Sequence, residues 1–135
     1  MLECLILGDS IGVGISNVKT ECVAYVKSGI DSTNYIKAYN DVNKKTKSVI
    51  ISLGTNDSDT VDTYYSLLKL RKSVDAEKVV WILPSKTIKP KQNSIVKKIA
   101  NEFNDSMLEI TDKDLSKDRI HPTGTGYKNI SSKLK

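Results

Sequence analysis

The first residues that could carry chemistry lie in a glycine-rich stretch near the start of the chain. Residues 8–12 read Gly-Asp-Ser-Ile-Gly and directly follow the apolar residues 2–7. The glycines permit sharp backbone angles and close approach of a ligand, so a tight turn here would present the hydroxyl of Ser10 at a sheet edge. A serine hydroxyl becomes a nucleophile when a base lies within hydrogen-bond reach. Taken alone, the stretch also fits a serine that caps a short helix.

A base for this serine is available near the other end of the chain. His121 is the only histidine, it is followed by Pro122, and Asp118 lies three residues before it. A tight turn would bring the Asp118 carboxylate to one imidazole nitrogen and leave the other nitrogen free to act as a base. In isolation, His121 would be interpreted as a surface histidine.

Two further positions offer hydrogen-bond donors to a developing oxyanion. Asn56, in a Gly-Thr-Asn-Asp stretch, carries two side-chain N–H donors, and Gly29 supplies a backbone N–H. Asp9 and Asp57, the neighbours of Ser10 and Asn56, are candidates for contacts with a substrate. The alternative is that Asn56 and Gly29 are ordinary turn residues.

The elements that must position these residues are short apolar runs alternating with amphipathic stretches. Near-continuous apolar runs are typical of strands buried on both faces of a parallel sheet, and here they cover residues 2–7, 22–26, 48–53, 79–83 and 107–110. Apolar residues at helical spacing predict helices over residues 32–42, 60–74, 92–104 and 124–134, with Asp59 or Thr60 capping the second. The alternation predicts a three-layer α/β sandwich. In such sheets ligands bind at the carboxyl ends of the strands, where the polar stretches fall.

Composition limits the class of protein. A chain of 135 residues fits one domain, and 39% hydrophobic with 27% charged residues is ordinary for a soluble globular protein. The net charge of +5 comes almost entirely from lysine, with Arg71 and Arg119 the only arginines. Specific nucleic-acid recognition usually depends on arginine, so no nucleic-acid partner is predicted. No transmembrane run or signal peptide is visible, and a cytoplasmic location is expected.

The sequence predicts no metal and no cofactor. Cys4 and Cys22 each lie in an apolar run, which favours reduced thiols in the core, and they lack a metal-ligand spacing. A single histidine and scattered carboxylates form no recognisable metal site. The glycines at residues 8, 12 and 14 do not have the dinucleotide-binding spacing, and no Walker lysine follows them.

Taken in order along the chain, these stretches resemble the SGNH hydrolase superfamily, also called GDSL esterases, from residue 8 to residue 127. The residues that name the family correspond to Ser10, Gly29, Asn56 and His121, and its catalytic acid corresponds to Asp118. The resemblance implies a flavodoxin-like sheet of five parallel strands and a serine hydrolase that cleaves acyl esters through an acyl-enzyme. The pattern at residues 8–12 also matches the nucleophile elbow of α/β-hydrolases, but that elbow follows a central strand deep within a longer chain.

The resemblance leaves the substrate open, because family members remove acyl groups from lipids, aryl esters, thioesters and acetylated sugars. This chain is shorter than most members and has little room for a lid, which favours a shallow site and small acyl groups such as acetyl, for example on a saccharide. The basic loop 85–92 could attract an anionic substrate through Lys86, Lys89 and Lys91. The alternative is a module that kept the fold and lost activity. The sequence predicts no particular oligomeric state.

Overall fold

The apolar runs form one parallel sheet, as a computed structural model that describes residues 2–134 shows. The strands are β1 (Leu2–Gly8), β2 (Val23–Val26), β3 (Lys45–Ser52), β4 (Asp75–Ile82) and β5 (Ser106–Leu108). They lie in the order β2-β1-β3-β4-β5, and every neighbouring pair is parallel. The order reverses between β1 and β3, which is where ligands bind in open α/β sheets.

Helices cover both faces of this sheet. They are α1 (Ser10–Val18), α2 (Ser32–Ala38), α3 (Thr63–Ser73), α4 (Pro90–Glu102) and α5 (Gly124–Ser132), with a short 3-10 helix at Asp112–Asp114. One buried cluster packs α1 and α5 against the sheet through residues such as Ile15 and Ile50. The other packs α2, α3 and α4 against it through Tyr35, Leu67 and Trp81. The predicted flavodoxin-like, three-layer fold is confirmed.

The main difference from the predicted elements is α1, because residues 10–18 form a helix where the sequence favoured a tight turn; the alternative, a short helix capped by Ser10, is nearer to the structure, although the cap is Asp9. Two glycines and several β-branched residues give this segment low intrinsic helix propensity. Tertiary packing compensates for that weakness. Gly14 lies so close to α5 that an added Cβ would be 2.1 Å from Cζ of Tyr127, so the two helices can approach only because a glycine is present.

Smaller differences concern where elements begin. Strands β3 and β4 start at Lys45 and Asp75, earlier than predicted. The first residues of each strand include charged side chains, which interrupt the apolar pattern. Helix α4 starts at Pro90, inside the predicted loop, since proline is well suited to the first helical position. Helix α3 is capped by Asp62 rather than by Asp59 or Thr60, and its carboxylate accepts from the Tyr65 N–H at 3.3 Å.

The prediction of two reduced core thiols is wrong, because Cys4 and Cys22 form a disulfide. The register of the parallel pair explains this. Leu5 of β1 lies opposite Val23 of β2, which brings the two preceding cysteines to a Cα–Cα distance of 4.8 Å. A run of apolar residues reveals that a cysteine is in a strand, but it does not reveal the neighbouring strand's register. Within residues 2–134, no helix is long and apolar enough to cross a bilayer.

Candidate active site

The serine turn, residues 8–11, positions Ser10 at the carboxyl end of β1. Asp9 is the N-cap of α1, and its carboxylate accepts a hydrogen bond from the Ile11 N–H at 3.0 Å. The Asp9 N–H donates to the carbonyl of Ser52, the last residue of β3, at 3.0 Å. Ser10 is therefore the first residue of a helix, where a backbone N–H has no acceptor within the helix and lies at the positive end of the helix dipole.

The histidine loop, residues 114–122, holds His121 through Asp118. One carboxylate oxygen, Oδ1, accepts from the Ile120 N–H at 2.8 Å, the His121 N–H at 2.9 Å and the Ser116 hydroxyl at 2.9 Å. The other, Oδ2, is 2.7 Å from Nδ1 of His121. These bonds, above all the one to the imidazole, hold the pKa of Asp118 well below its usual range. An ionised carboxylate therefore faces the ring at neutral pH.

The fold brings the loop to the serine. Ser10 Oγ lies 2.8 Å from Nε2 of His121, so a continuous hydrogen-bonded chain joins Ser10, His121 and Asp118. The side chains of His121 and Asp118 are 41% and 47% exposed, and this chain of groups is therefore open to solvent. Such an arrangement can transfer the serine proton to the imidazole and stabilise the imidazolium that results.

The loop is anchored by Asp114, which sequence reasoning missed. This buried carboxylate accepts from Nδ2 of Asn129 at 2.9 Å and from the Thr111 hydroxyl at 3.1 Å. The backbone carbonyl of Asp114 accepts from the Thr123 N–H at 2.9 Å, and this bond fastens the loop to the start of α5. In the sequence Asp114 is one of several charges in a stretch without periodicity, so no pattern distinguished it from its exposed neighbours.

Gly29 and Asn56 lie in turns that are fastened to each other beside the serine turn. The N–H of Lys27 donates to the Gly8 carbonyl at 3.0 Å, and Nδ2 of Asn56 donates to the Ile30 carbonyl at 3.1 Å. Gly29 is exposed and has a φ of +78°, in the left-handed region that favours glycine. Asn56 is partly exposed and has a second amide hydrogen beyond the one bonded to Ile30.

The prediction that Asp9 and Asp57 contact substrate is wrong, because both side chains are fully buried. Asp57 accepts from the Ser32 N–H at 2.8 Å and from the Thr63 hydroxyl at 2.7 Å, so it joins the starts of α2 and α3. Asp9 accepts from the Ile11 N–H and from the Ser52 hydroxyl, the latter at 3.3 Å, while its Oδ2 has no partner within the described part of the chain. Burial raises the pKa of Asp9 to about 6.

Each lysine of the basic loop has a partner in the structure. Nζ of Lys89 donates to the Asp57 carbonyl at 3.2 Å, so it supports the turn that carries Asn56. Lys86 and Lys91 form exposed ion pairs with Glu109 at 3.9 Å and with Asp59 at 3.7 Å. Exposed pairs of this kind contribute little to stability. The attraction of an anionic substrate to this loop stays a prediction.

Comparison of the sequence with models of known protein families gives no match, and comparison with curated proteins gives none either. Solved structures do match. The chain is similar to a GDSL-like lipase from Bacteroides thetaiotaomicron, with 20% identity, a TM-score of 0.74, and coverage of 98% of this chain and 85% of that chain. It is also similar to the C-terminal catalytic domain of peptidoglycan O-acetyltransferase A from Streptococcus pneumoniae, solved with a methylsulfonyl adduct. The identity is 12%, the TM-score 0.67, and the coverage 98% of this chain and 89% of that one.

These likenesses show that the chain has the fold of the SGNH, or GDSL-type, hydrolases. The resemblance drawn from the sequence motifs is thereby confirmed at the level of fold. Within that fold, the three groups that could transfer a proton lie at the carboxyl edge of the sheet, on the serine turn and the histidine loop.

Proposed function

We propose that this protein is a serine hydrolase that cleaves acyl esters, with Ser10, His121 and Asp118 as its catalytic triad. The observation that supports this most strongly is the hydrogen-bonded chain of 2.8 Å and 2.7 Å that links the three side chains. Ser10 and His121 are 111 positions apart, and only the fold and the anchored histidine loop bring them together.

In this mechanism Ser10 Oγ attacks the acyl carbonyl while Nε2 of His121 accepts the hydroxyl proton. The ionised Asp118 keeps Nδ1 of the ring protonated and stabilises the imidazolium. His121 then donates the proton to the leaving alcohol, which leaves an acyl group on Ser10. Water then attacks the acyl carbonyl while His121 accepts its proton, and the imidazolium returns that proton to Ser10 Oγ as the bond between the acyl group and Ser10 breaks and the carboxylic acid leaves.

The negative charge that develops on the carbonyl oxygen requires donors that are already in place. We assign this role to the N–H groups of Ser10 and Gly29 and to the second amide hydrogen of Asn56. The support is positional: the serine turn and the Gly29 turn are joined by the bond from Lys27 to Gly8, and Asn56 is bonded to the residue after Gly29.

The substrate we propose is a small acyl ester such as an acetyl group, on a saccharide for example. The high exposure of His121 and Asp118 supports an open site that a bulky alcohol portion can approach. The likeness to the catalytic domain of a peptidoglycan O-acetyltransferase is consistent with this class. Comparing acetyl with octanoyl esters tests the acyl length, and a clear preference for octanoyl would contradict it.

The disulfide bears on where the protein acts. Disulfides persist in oxidising compartments and are rare in the cytosol, so the Cys4–Cys22 bond favours an oxidising environment over the cytoplasmic location expected from the sequence. Alkylation of the freshly isolated native protein tests this by mass spectrometry. Modification only after reduction is expected, whereas two thiols that react without reductant would contradict it.

The first experiment compares hydrolysis of p-nitrophenyl acetate by the wild type, Ser10→Ala and Ser94→Ala. Ser94 is an exposed serine of α4 and serves as the matched control. We expect the activity to vanish in folded Ser10→Ala and to be unchanged in Ser94→Ala. Reaction of the wild type with a sulfonyl fluoride, followed by peptide mapping, provides an independent readout, because an activated Ser10 should displace fluoride and retain the sulfonyl group.

The alternative is a binding module that kept the fold and lost activity. Intact residues do not by themselves demonstrate catalysis, since function depends on the site rather than the fold. An unlabelled Ser10, together with equal rates for wild type and Ser10→Ala, would favour this alternative over the hydrolase.

A further inference from the structure

A groove between α2 and α3 is not used by the mechanism above. It is an open groove of about 260 Å³, lined by Thr33, Ile36, Lys37, Tyr65, Ser66 and Lys69. A smaller depression of about 60 Å³ shares Ile36 and Lys69 with it and extends further along the same two helices. The groove therefore continues as one elongated surface feature.

The groove begins next to the candidate active site. Both helices start at the carboxyl edge of the sheet, where Asp57 accepts from Ser32 and Thr63 and thereby joins the two starts. Asn56 immediately precedes Asp57. The hydroxyls of Thr33 and Ser66 meet across the groove at 2.9 Å. A long ligand lying in the groove would thus have one end near the edge of the sheet that carries Asn56.

The groups in the groove have the chemistry of a sugar-binding surface. Tyr65 is 66% exposed and offers a large amphipathic ring at low cost in conformational entropy. The two hydroxyls retain lone pairs for hydrogen bonds with a ligand. Lys37 and Lys69 stand on opposite helices, and neither forms an ion pair within residues 2–134. The groove therefore combines a flat ring with two available cations.

We propose that this groove binds a segment of an anionic polysaccharide and presents its acyl esters to Ser10, an inference that rests on the proposed hydrolase function. The two lysines are complementary to the carboxylates of such a polymer, and Tyr65 would stack on a sugar ring. Much of the exposed lining is apolar, from Ile36, the Tyr65 ring and the stems of the two lysines. The charges of Lys37 and Lys69 are what favour an anionic sugar polymer over an uncharged lipid chain.

Kinetics test the proposal with acetylated polygalacturonate, acetylated glucomannan and p-nitrophenyl acetate as substrates. Relative to its effect on p-nitrophenyl acetate, Tyr65→Ala should lower kcat/KM on both polymers about tenfold, as expected for a lost aromatic contact. Tyr65→Phe should retain most of the activity.

The double variant Lys37→Gln/Lys69→Gln tests the charge of the groove. It should lower kcat/KM about fivefold on polygalacturonate only, and added salt should reduce this difference. Lys128→Gln, an exposed lysine of α5, is the matched control. Groove variants with wild-type ratios on the polymers would overturn the proposal.

Binding separates failure of the groove from failure of the hydrolase. Titration calorimetry with deacetylated polygalacturonate and Ser10→Ala requires no catalysis. Binding that is lost in Ser10→Ala/Tyr65→Ala would support the groove even if no ester is hydrolysed. Active enzyme that does not bind polygalacturonate would overturn the groove while the hydrolase stands. Binding of polyglutamate in place of polygalacturonate would point to an acidic protein partner and would also overturn it.

Discussion

The serine turn and the histidine loop hold the two halves of the candidate triad by different means. In the serine turn Asp9 is fully buried. Ser10 comes directly after β1, whose last residues belong to the core and pair with β3. In the histidine loop Asp118 is exposed and collects three local hydrogen bonds on one oxygen, while the buried Asp114 anchors the base of the loop. The serine is therefore held within a buried turn, whereas the histidine is oriented by an exposed carboxylate.

This difference predicts how each region fails. The orientation of His121 depends on the charge of one exposed carboxylate. Replacing that carboxylate by an amide should therefore abolish activity without unfolding the protein. Packing around a buried turn is shared with the core, so a change there should appear first in stability. The predictions below separate these two kinds of failure.

The largest effect is expected from Asp118→Asn. The amide cannot supply the negative charge that fixes the imidazole tautomer, so kcat should fall about 10³- to 10⁴-fold. Thermal unfolding should change only modestly, because the amide oxygen can still accept from the Ile120 and His121 N–H groups and the side chain is half exposed. Asp112→Asn is the control, since Asp112 is an exposed carboxylate of the neighbouring 3-10 helix. A kcat within threefold of wild type on p-nitrophenyl acetate would show that Asp118 does not orient His121.

Asn56→Ala should have the next largest effect. Loss of one oxyanion donor typically lowers kcat about 10²- to 10³-fold, with less change in KM. The bond to the Ile30 carbonyl is lost as well, so circular dichroism must accompany the kinetics. Asn101→Ala, at an exposed position of α4, is the control. If KM rises while kcat stays constant, Asn56 binds the ground state and is not an oxyanion donor.

Asp9→Asn tests the buried side of the comparison through pH. The pKa of Asp9 is raised to about 6 by burial from 3.8, so the folded protein favours the protonated form. Its stabilising contribution is complete below about pH 3, falls as the pH rises above 3.8, and is lost once the pH has passed through 6. Relative to wild type, the variant should therefore gain about 3 kcal/mol in free energy of unfolding between pH 3 and pH 8. Urea unfolding at several pH values measures this difference, and a constant difference would mean that Asp9 ionises normally.

The sequence predicted the candidate reactive groups better than the residues that hold them in place. Ser10 and Asn56 follow apolar runs, and His121 is the only histidine of the chain. The order of these motifs along the sequence indicated that they belong to one site. Asp9, Asp57 and Asp114 are also polar residues near these motifs, but their burial depends on which helices pack over them. The sequence contains no local signal for that packing.

Contacts between segments that are distant in the sequence were not predicted either. The disulfide between Cys4 and Cys22 depends on the register of β1 against β2, and α1 depends on its fit against α5. Arg119 adopts a φ of 62°, a conformation that local propensity would assign to glycine or asparagine. For the disulfide and for α1, a tertiary contact decides the outcome, and the separate segments carry no signal for it.

The smallest effect tests whether the histidine loop depends on packing at its base. Gly126 of α5 lies against the carbonyl of Asp114, and an added Cβ would stand 2.2 Å from that oxygen, whereas one at Gly124 would meet no atom within 4 Å. Gly126→Ala should cost about 1–3 kcal/mol, as overpacking does, and Gly124→Ala should be neutral or slightly stabilising. Because the obstructed carbonyl belongs to the loop's anchor, kcat should fall with stability in Gly126→Ala alone. A destabilised Gly126→Ala with unchanged kcat would mean that the loop keeps its geometry through Asp118 without support from α5.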